Sequence, residues 1–253
     1  MGNGKIKSRY ELSQETKQLK TFGVSSIVNL SNLIFITSAV LVAFCPPIQG
    51  LAPLFGRVSA ADTKIYASSR NCPRCIVLDL DNTLWNRPRF RRGPPFIPIN
   101  DGFNGVRANS GEELDLYPGV RDILKSFVDS SDDKNFFSGT KIGLVSRSHR
   151  QNWSEQFLKM LRVSISVGLC RSVEECVDII VIRDGPKGKF HLREIRDTLN
   201  ISYADMLYFD DKLHEIKTAE FVCPGLVGVH CSNGFCKEEL EHGLVKFGKS
   251  RAI

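Results

Sequence analysis

The stretch Ile76-Val77-Leu78-Asp79-Leu80-Asp81-Asn82-Thr83-Leu84 limits what this chain can fold into more than any other. Its apolar start reads as a buried strand, and the strand ends in two carboxylates spaced i, i+2. Strand geometry turns both side chains to the same side. Carboxylates held that close repel each other and lose hydration, so a fold keeps them only with compensation. A hard divalent cation supplies it, and Mg2+ suits the role because it prefers oxygen ligands and keeps waters that a phosphate can replace. A carboxylate beside such an ion can attack phosphorus, and a second can protonate the leaving oxygen and then activate water. In isolation, an acidic strand end in a solvated turn would look the same.

The remainder of the chain supports the sharper reading. Short apolar runs at Ile76–Leu80, Ile142–Val145, Val177–Ile182, Met206–Phe209 and Leu226–His230 read as buried strands. Amphipathic stretches at Val120–Val128, Gln151–Leu161, Phe190–Leu199, His214–Glu220 and Lys237–Phe247 read as helices. This alternation predicts an α/β fold, a parallel sheet with helices on both faces, with ligands at the carboxyl ends of the strands. Residues 86–116 break the rhythm and are rich in Pro, Gly and Asn, which predicts a small β-hairpin flap beside the site.

Each predicted strand end adds a group. The second leads into Ser146 and Arg147, a hydroxyl and a guanidinium suited to phosphoryl oxygens, although Ser before a helix is commonly a plain N-cap. The third leads to Lys187 and Lys189, one of which could hold phosphate and nucleophile together; Lys189, directly abutting the helix, is the preferred candidate. The fourth ends in Asp210-Asp211, a second acidic strand end able to share one cation with the first. Arg87, Arg89, Arg91 and Arg92 stand at the base of the flap, where they read either as a solvated charge run or as an attractor for an anionic substrate. His149 and His191 fall near the site, but helix-start surface positions explain them equally well.

The formal net charge of +6 is uneven: residues 1–75 hold nine Lys or Arg against three Asp or Glu, and residues 76–253 hold twenty-five of each. The body therefore gives no reason to expect a nucleic-acid partner. Residues 1–75 read as an N-terminal extension and residues 76–253 as the globular domain. Residues 22–44 carry no charge and are long enough to cross a bilayer, with Lys5, Lys7, Arg9, Lys17 and Lys20 before them. They are expected to target or anchor the chain to a membrane, organelle or secretory route; without that role the chain would be cytoplasmic. Eight cysteines show no disulfide-framework spacing and read as thiols.

These motifs, in this order, resemble the magnesium-dependent phosphatase family of the haloacid dehalogenase superfamily, small proteins also described as protein-tyrosine-phosphatase-like. The likeness is carried by VLDLDNTLW (77–85), PPF (94–96), LYPGVRDILK (116–125), VSRSHR (145–150), YFDDKLHEI (208–216) and GVHCSNGF (228–235), and spans about residues 76–247. It implies a three-layer Rossmann-like sheet without a large cap domain. It also implies Asp79 as nucleophile and metal ligand and Asp81 as general acid/base, with metal bound through the Asp81 backbone carbonyl. Ser146 and Arg147 would lie on the phosphate, and Asp210 or Asp211 would complete the Mg2+ site. Asn82 stands where the family usually has an aromatic residue. Family substrates suggest phosphotyrosine or a small phosphorylated metabolite such as a sugar phosphate. A related acyl-loading domain and a membrane-tethered, non-catalytic phosphate-binding domain are the competing readings.

Overall fold

The computed structural model describes residues 72–87, 93–128 and 137–251. The apolar run after Pro73 forms β1 (Cys75–Asp79), every residue of which is buried. Then follow three short strands, β2 (Phe96–Pro98), β3 (Val106–Ala108) and β4 (Glu113–Leu114), and helix α1 (Val120–Val128). β5 (Lys141–Ser146) leads to α2 (Gln151–Met160), and a hairpin of β6 (Arg162–Ser166) and β7 (Leu169–Ser172) comes next. The chain ends as β8 (Ile179–Ile182), α3 (His191–Leu199), β9 (Met206–Asp210), α4 (Leu213–Val222), β10 (Val227–His230) and α5 (Lys237–Arg251).

The main sheet runs β10-β9-β1-β5-β8 with all pairings parallel. The strand holding Asp79 is thus central, flanked by the strand holding Asp210 and the strand holding Ser146. Alternation along the strands divides the core in two. Ile76, Leu78, Leu144, Leu207 and Phe209 pack with Leu124 of α1, Phe157 of α2 and Leu244 of α5. Cys75, Val77, Val145 and Met206 point the other way, onto Leu192 and Ile195 of α3 and Ile216 and Ala219 of α4. Each large aliphatic or aromatic side chain so buried contributes roughly 1.5–3 kcal/mol, and together they fix a three-layer α/β sandwich.

Two expectations need correction. The flap is not a hairpin but a three-stranded antiparallel sheet, β2-β3-β4. Its third strand forms because Gly111, at φ 93°, closes a tight turn in which its N–H donates to the Ala108 carbonyl at 2.9 Å. The β6–β7 hairpin was not anticipated at all. A short 3-10 turn, Glu174–Cys176, follows it, and the third core strand begins at Ile179 rather than Val177. Among the described residues no helix is long and apolar enough to cross a membrane. The candidate segment 22–44 lies outside the described residues.

Candidate active site

At the carboxyl edge of β1, Asp79 is 3% exposed and its carboxylate meets the Lys187 ammonium at 2.6 Å. The same ammonium meets Asp210, at the end of β9, also at 2.6 Å. Lys187 itself is only 2% exposed. It reaches this position from the turn before α3, and that turn lies against α4 because residue 188 is glycine: a Cβ there would fall 2.6 Å from Val222 Cγ2 and 3.0 Å from Ala219 Cα. The preference for Lys189 is therefore reversed. Lys189 is exposed and its ammonium lies 5.7 Å from the Phe190 ring centre, while Lys187 bridges the two strand ends. Abutting the helix was a poor guide, because both lysines lie in the turn before α3, where the local backbone and not the distance to the helix sets where a side chain goes.

Asp210 is further tied by the Tyr208 hydroxyl, which donates to Oδ2, and by the Lys212 backbone N–H, which donates to Oδ1 at 2.8 Å. Tyr208 was not foreseen. It lies two residues before Asp210 on β9, so it shares the strand face. Burial, and then the Asp210 and Asp79 carboxylates, push its phenol well above the ordinary value, so it stays a donor.

Asp79, Asp210 and Asp211 each offer an oxygen within 4.8 Å of the others. Asp211 accepts from the Asn82 amide through Oδ2 at 3.2 Å, while its Oδ1 is buried and has no hydrogen-bond donor. Burial pushes Asp79 up to about 7; the Lys187 charge opposes that shift and the Asp210 and Asp211 charges add to it. A buried oxygen without a hydrogen bond, amid three converging carboxylates, fits a hard divalent cation. The side chain of Asp81 does not belong to this group. Its carboxylate accepts from the Trp85 indole N–H at 3.0 Å and pairs with Arg87 at 3.3 Å. Both partners follow the turn after β1, where Leu84 N–H donates to Leu80 O at 2.8 Å. Asn82 enables that turn with φ 60°, a left-handed conformation that Asn tolerates better than an aromatic residue.

A cleft of about 760 Å³ opens over these groups and is also lined by Ser146, Arg147, Arg150 and Trp153. Arg147 donates to Glu215, a carboxylate of the first turn of α4 that is 4% exposed. Glu215 was missed because a glutamate in a helix start reads as a dipole or surface residue. His191 is also not the surface residue expected. It is fully buried, and its Nε2 lies 2.9 Å from both the Ser146 and the Arg183 carbonyls. Carbonyls only accept, so Nε2 carries the proton; burial lowers the His191 pKa and keeps the ring neutral. The imidazole thus ties the end of β5 to the loop that leads to Lys187. Of the arginine cluster, Arg87 lines the cleft, and Arg89, Arg91 and Arg92 lie outside the described residues.

Comparison with known proteins gives a sequence-family match described as acid phosphatase, over residues 71–250. HAD-like hydrolase superfamily protein P8B7.31 of Schizosaccharomyces pombe is 26% identical over 144 residues, covering 55% of this chain and 76% of that protein. Among solved structures, the N-terminal part of BF1531 from Bacteroides fragilis, containing a phosphatase domain and complexed with Mg, gives a TM-score of 0.43 at 18% identity. That likeness covers 70% of this chain but only 40% of the other. The 3-deoxy-D-manno-octulosonate 8-phosphate phosphatase of Moraxella catarrhalis, solved with magnesium, phosphate and KDO, gives 0.37 at 14% identity, covering 73% and 92% of the two chains.

Proposed function

Since the chain belongs to the acid phosphatase family, among the haloacid dehalogenase-like hydrolases, we propose that it hydrolyses phosphate monoesters of small metabolites, with Asp79 as the nucleophile. The observation that carries this reading is the convergence of Asp79, Asp210 and Asp211 under an open cleft, with Lys187 bridging two of them.

Asp79, Asp210 and Asp211 would hold a magnesium ion, which when bound offsets carboxylate and phosphoryl charge. The chain's own groups account for the remainder. Lys187 holds the Asp79 carboxylate at the floor of the cleft and stays protonated: burial works against its charge, but Asp79 and Asp210 outweigh that and keep its pKa raised. Attack by an Asp79 oxygen on phosphorus forms an aspartyl-phosphate and breaks the bond to the leaving oxygen. Asp81 gives that oxygen its proton, then takes one from the water that cleaves the intermediate. The Trp85 and Arg87 contacts set its orientation. Ser146 and Arg147 face the phosphoryl oxygens from the end of β5, where positioning and charge neutralisation are the main contributions to catalysis.

The test is hydrolysis of 4-nitrophenyl phosphate by the purified full chain, with and without Mg2+, beside Asp79→Asn. The expected result is Mg2+-dependent turnover that falls at least about a thousandfold in the variant. Equal rates from the two proteins would sink the reading and favour a phosphate-binding module. Phosphotyrosine, the other substrate class suggested by the family, belongs in the same assay as a competitor to sugar phosphates.

A further inference from the structure

The charged groups that line the cleft are unequal in number, and their pairing singles out one of them. Among the described residues, Arg87, Arg147, Arg150, Lys187 and Lys212 line it, against Asp79 and Asp81. Four of the five cations have a carboxylate. Arg87 has Asp81, Arg147 has Glu215, Lys187 has Asp79 and Asp210, and Lys212 has Asp211 at 3.8 Å. Arg150 is the exception. Its guanidinium carbon lies 4.1 Å from the centre of the Trp153 ring, and among the described residues no carboxylate lies within ion-pairing distance of it.

The platform under Arg150 is fixed. Trp153 packs edge-on against Phe96 of the flap at 5.4 Å, and Gly93 abuts the indole so closely that a Cβ would come within 2.8 Å of it. Stacking settles the orientation of a side chain that would otherwise sample many rotamers. A guanidinium seated over an indole with no carboxylate beside it leaves N–H groups that can meet two oxygens of one anion. The phosphate to be transferred is already served by Lys187, Arg147 and the metal ligands on the floor. We infer that Arg150 on Trp153 receives a second anionic group of the substrate, so the preferred substrates are phosphate monoesters that carry a further acid, a carboxylate or another phosphate. The inference rests on the phosphatase reading above.

The experiment compares kcat/KM with Mg2+ for two series: ethyl, propyl and butyl phosphate, and 2-phosphoglycolate, 3-phosphooxypropanoate and 4-phosphooxybutanoate. 1,3-Propanediol bisphosphate is added to separate carboxylate from phosphate as the second group. Wild type is expected to prefer at least one acidic ester over its neutral counterpart by about tenfold or more, the scale of a charge-assisted pair. Arg150→Met, which keeps bulk over the indole, should erase that ratio, and Arg150→Lys should retain part of it. Equal efficiency on both series in the wild type overturns the inference and leaves the phosphatase reading intact. A preference that survives Arg150→Met, or losses equal on both series, also overturns it, the latter by placing Arg150 on the transferred phosphate. Turnover of no ester in either series would sink the phosphatase reading itself.

Discussion

The floor and the rim of the cleft are built on opposite principles. On the floor, Asp79, Lys187 and Asp210 are at most 3% exposed and each charge is held by another. On the rim, Arg87, Arg147 and Arg150 are exposed, and two of them lean on a carboxylate while the third leans on an aromatic ring. Removing one member of a buried set leaves an uncompensated charge in a poorly hydrated place, whereas removing Arg87 or Arg150 costs the fold little. On the proposed reading, the floor is arranged for chemistry at the expense of stability, and the rim for choosing what enters.

The most severe way to probe the contrast is Lys187→Met. It should abolish turnover and, without metal at pH 8, lower stability by about 3–5 kcal/mol, the usual consequence of stripping a partner from a buried ion pair. The loss should shrink at pH 5, where the carboxylates can protonate; chemical denaturation at the two pH values checks this, and a pH-independent loss would mean that Lys187 acts by packing alone.

Asp79→Asn should separate chemistry from stability in the opposite sense. Asp79 has its folded pKa raised to about 7 by burial and by Asp210 and Asp211, with Lys187 opposing. A carboxylate raised in the folded state contributes stability at low pH that is lost as pH rises from the ordinary carboxylate range through about 7. The metal-free wild type should therefore weaken over that window, and the inactive Asn variant should weaken less and melt higher at pH 8. Mg2+ should raise the wild-type melting temperature more at pH 8 than at pH 5.5. A melting curve insensitive to both pH and Mg2+ would contradict the picture of a charge-burdened floor.

On the rim, Glu215→Gln should free Arg147 to swing. The expected outcome is a rise in KM for a phosphate monoester of roughly tenfold with a smaller change in kcat, since a charge-assisted contact to the ligand is loosened. If Glu215 acts through Arg147, the same substitution should have almost no further effect in an Arg147→Ala background, and additive losses would refute the link. The smallest effect belongs to Asn82→Ala, which loses the hydrogen bond to Asp211 and puts a residue less suited to φ 60° in the turn. About 1–2 kcal/mol of stability should go, read from a denaturant midpoint, with weakened Mg2+ affinity by titration.

Much of the scaffold could be read along the chain because its signals are local. α1 occupies Val120–Val128 as the pattern predicts, and β9 runs Met206–Asp210, one residue beyond the apolar run. The β6–β7 hairpin was also written locally: Val163 and Ile165 are buried and Arg162, Ser164 and Ser166 are not, with Gly168 at the turn. It was overlooked beside the longer apolar runs. Its strands add nothing to the main sheet, so the βα rhythm does not require them.

Sequence by itself determined that carboxylates would stand at two strand ends, because an apolar run stops where charge begins. It also determined that these ends would share one edge of the sheet, since alternating strands and helices force parallel strands. Only the tertiary structure decided that Lys187 rather than Lys189 enters the floor, that Tyr208 and Glu215 hold Asp210 and Arg147, and that His191 is buried. The first of these depends on how closely the turn before α3 approaches α4, which is set at Gly188 against Ala219 and Val222. Hydrophobic pattern is a property of neighbours in the chain. The partner of a charge is a property of neighbours in space, and a window on the sequence does not contain it.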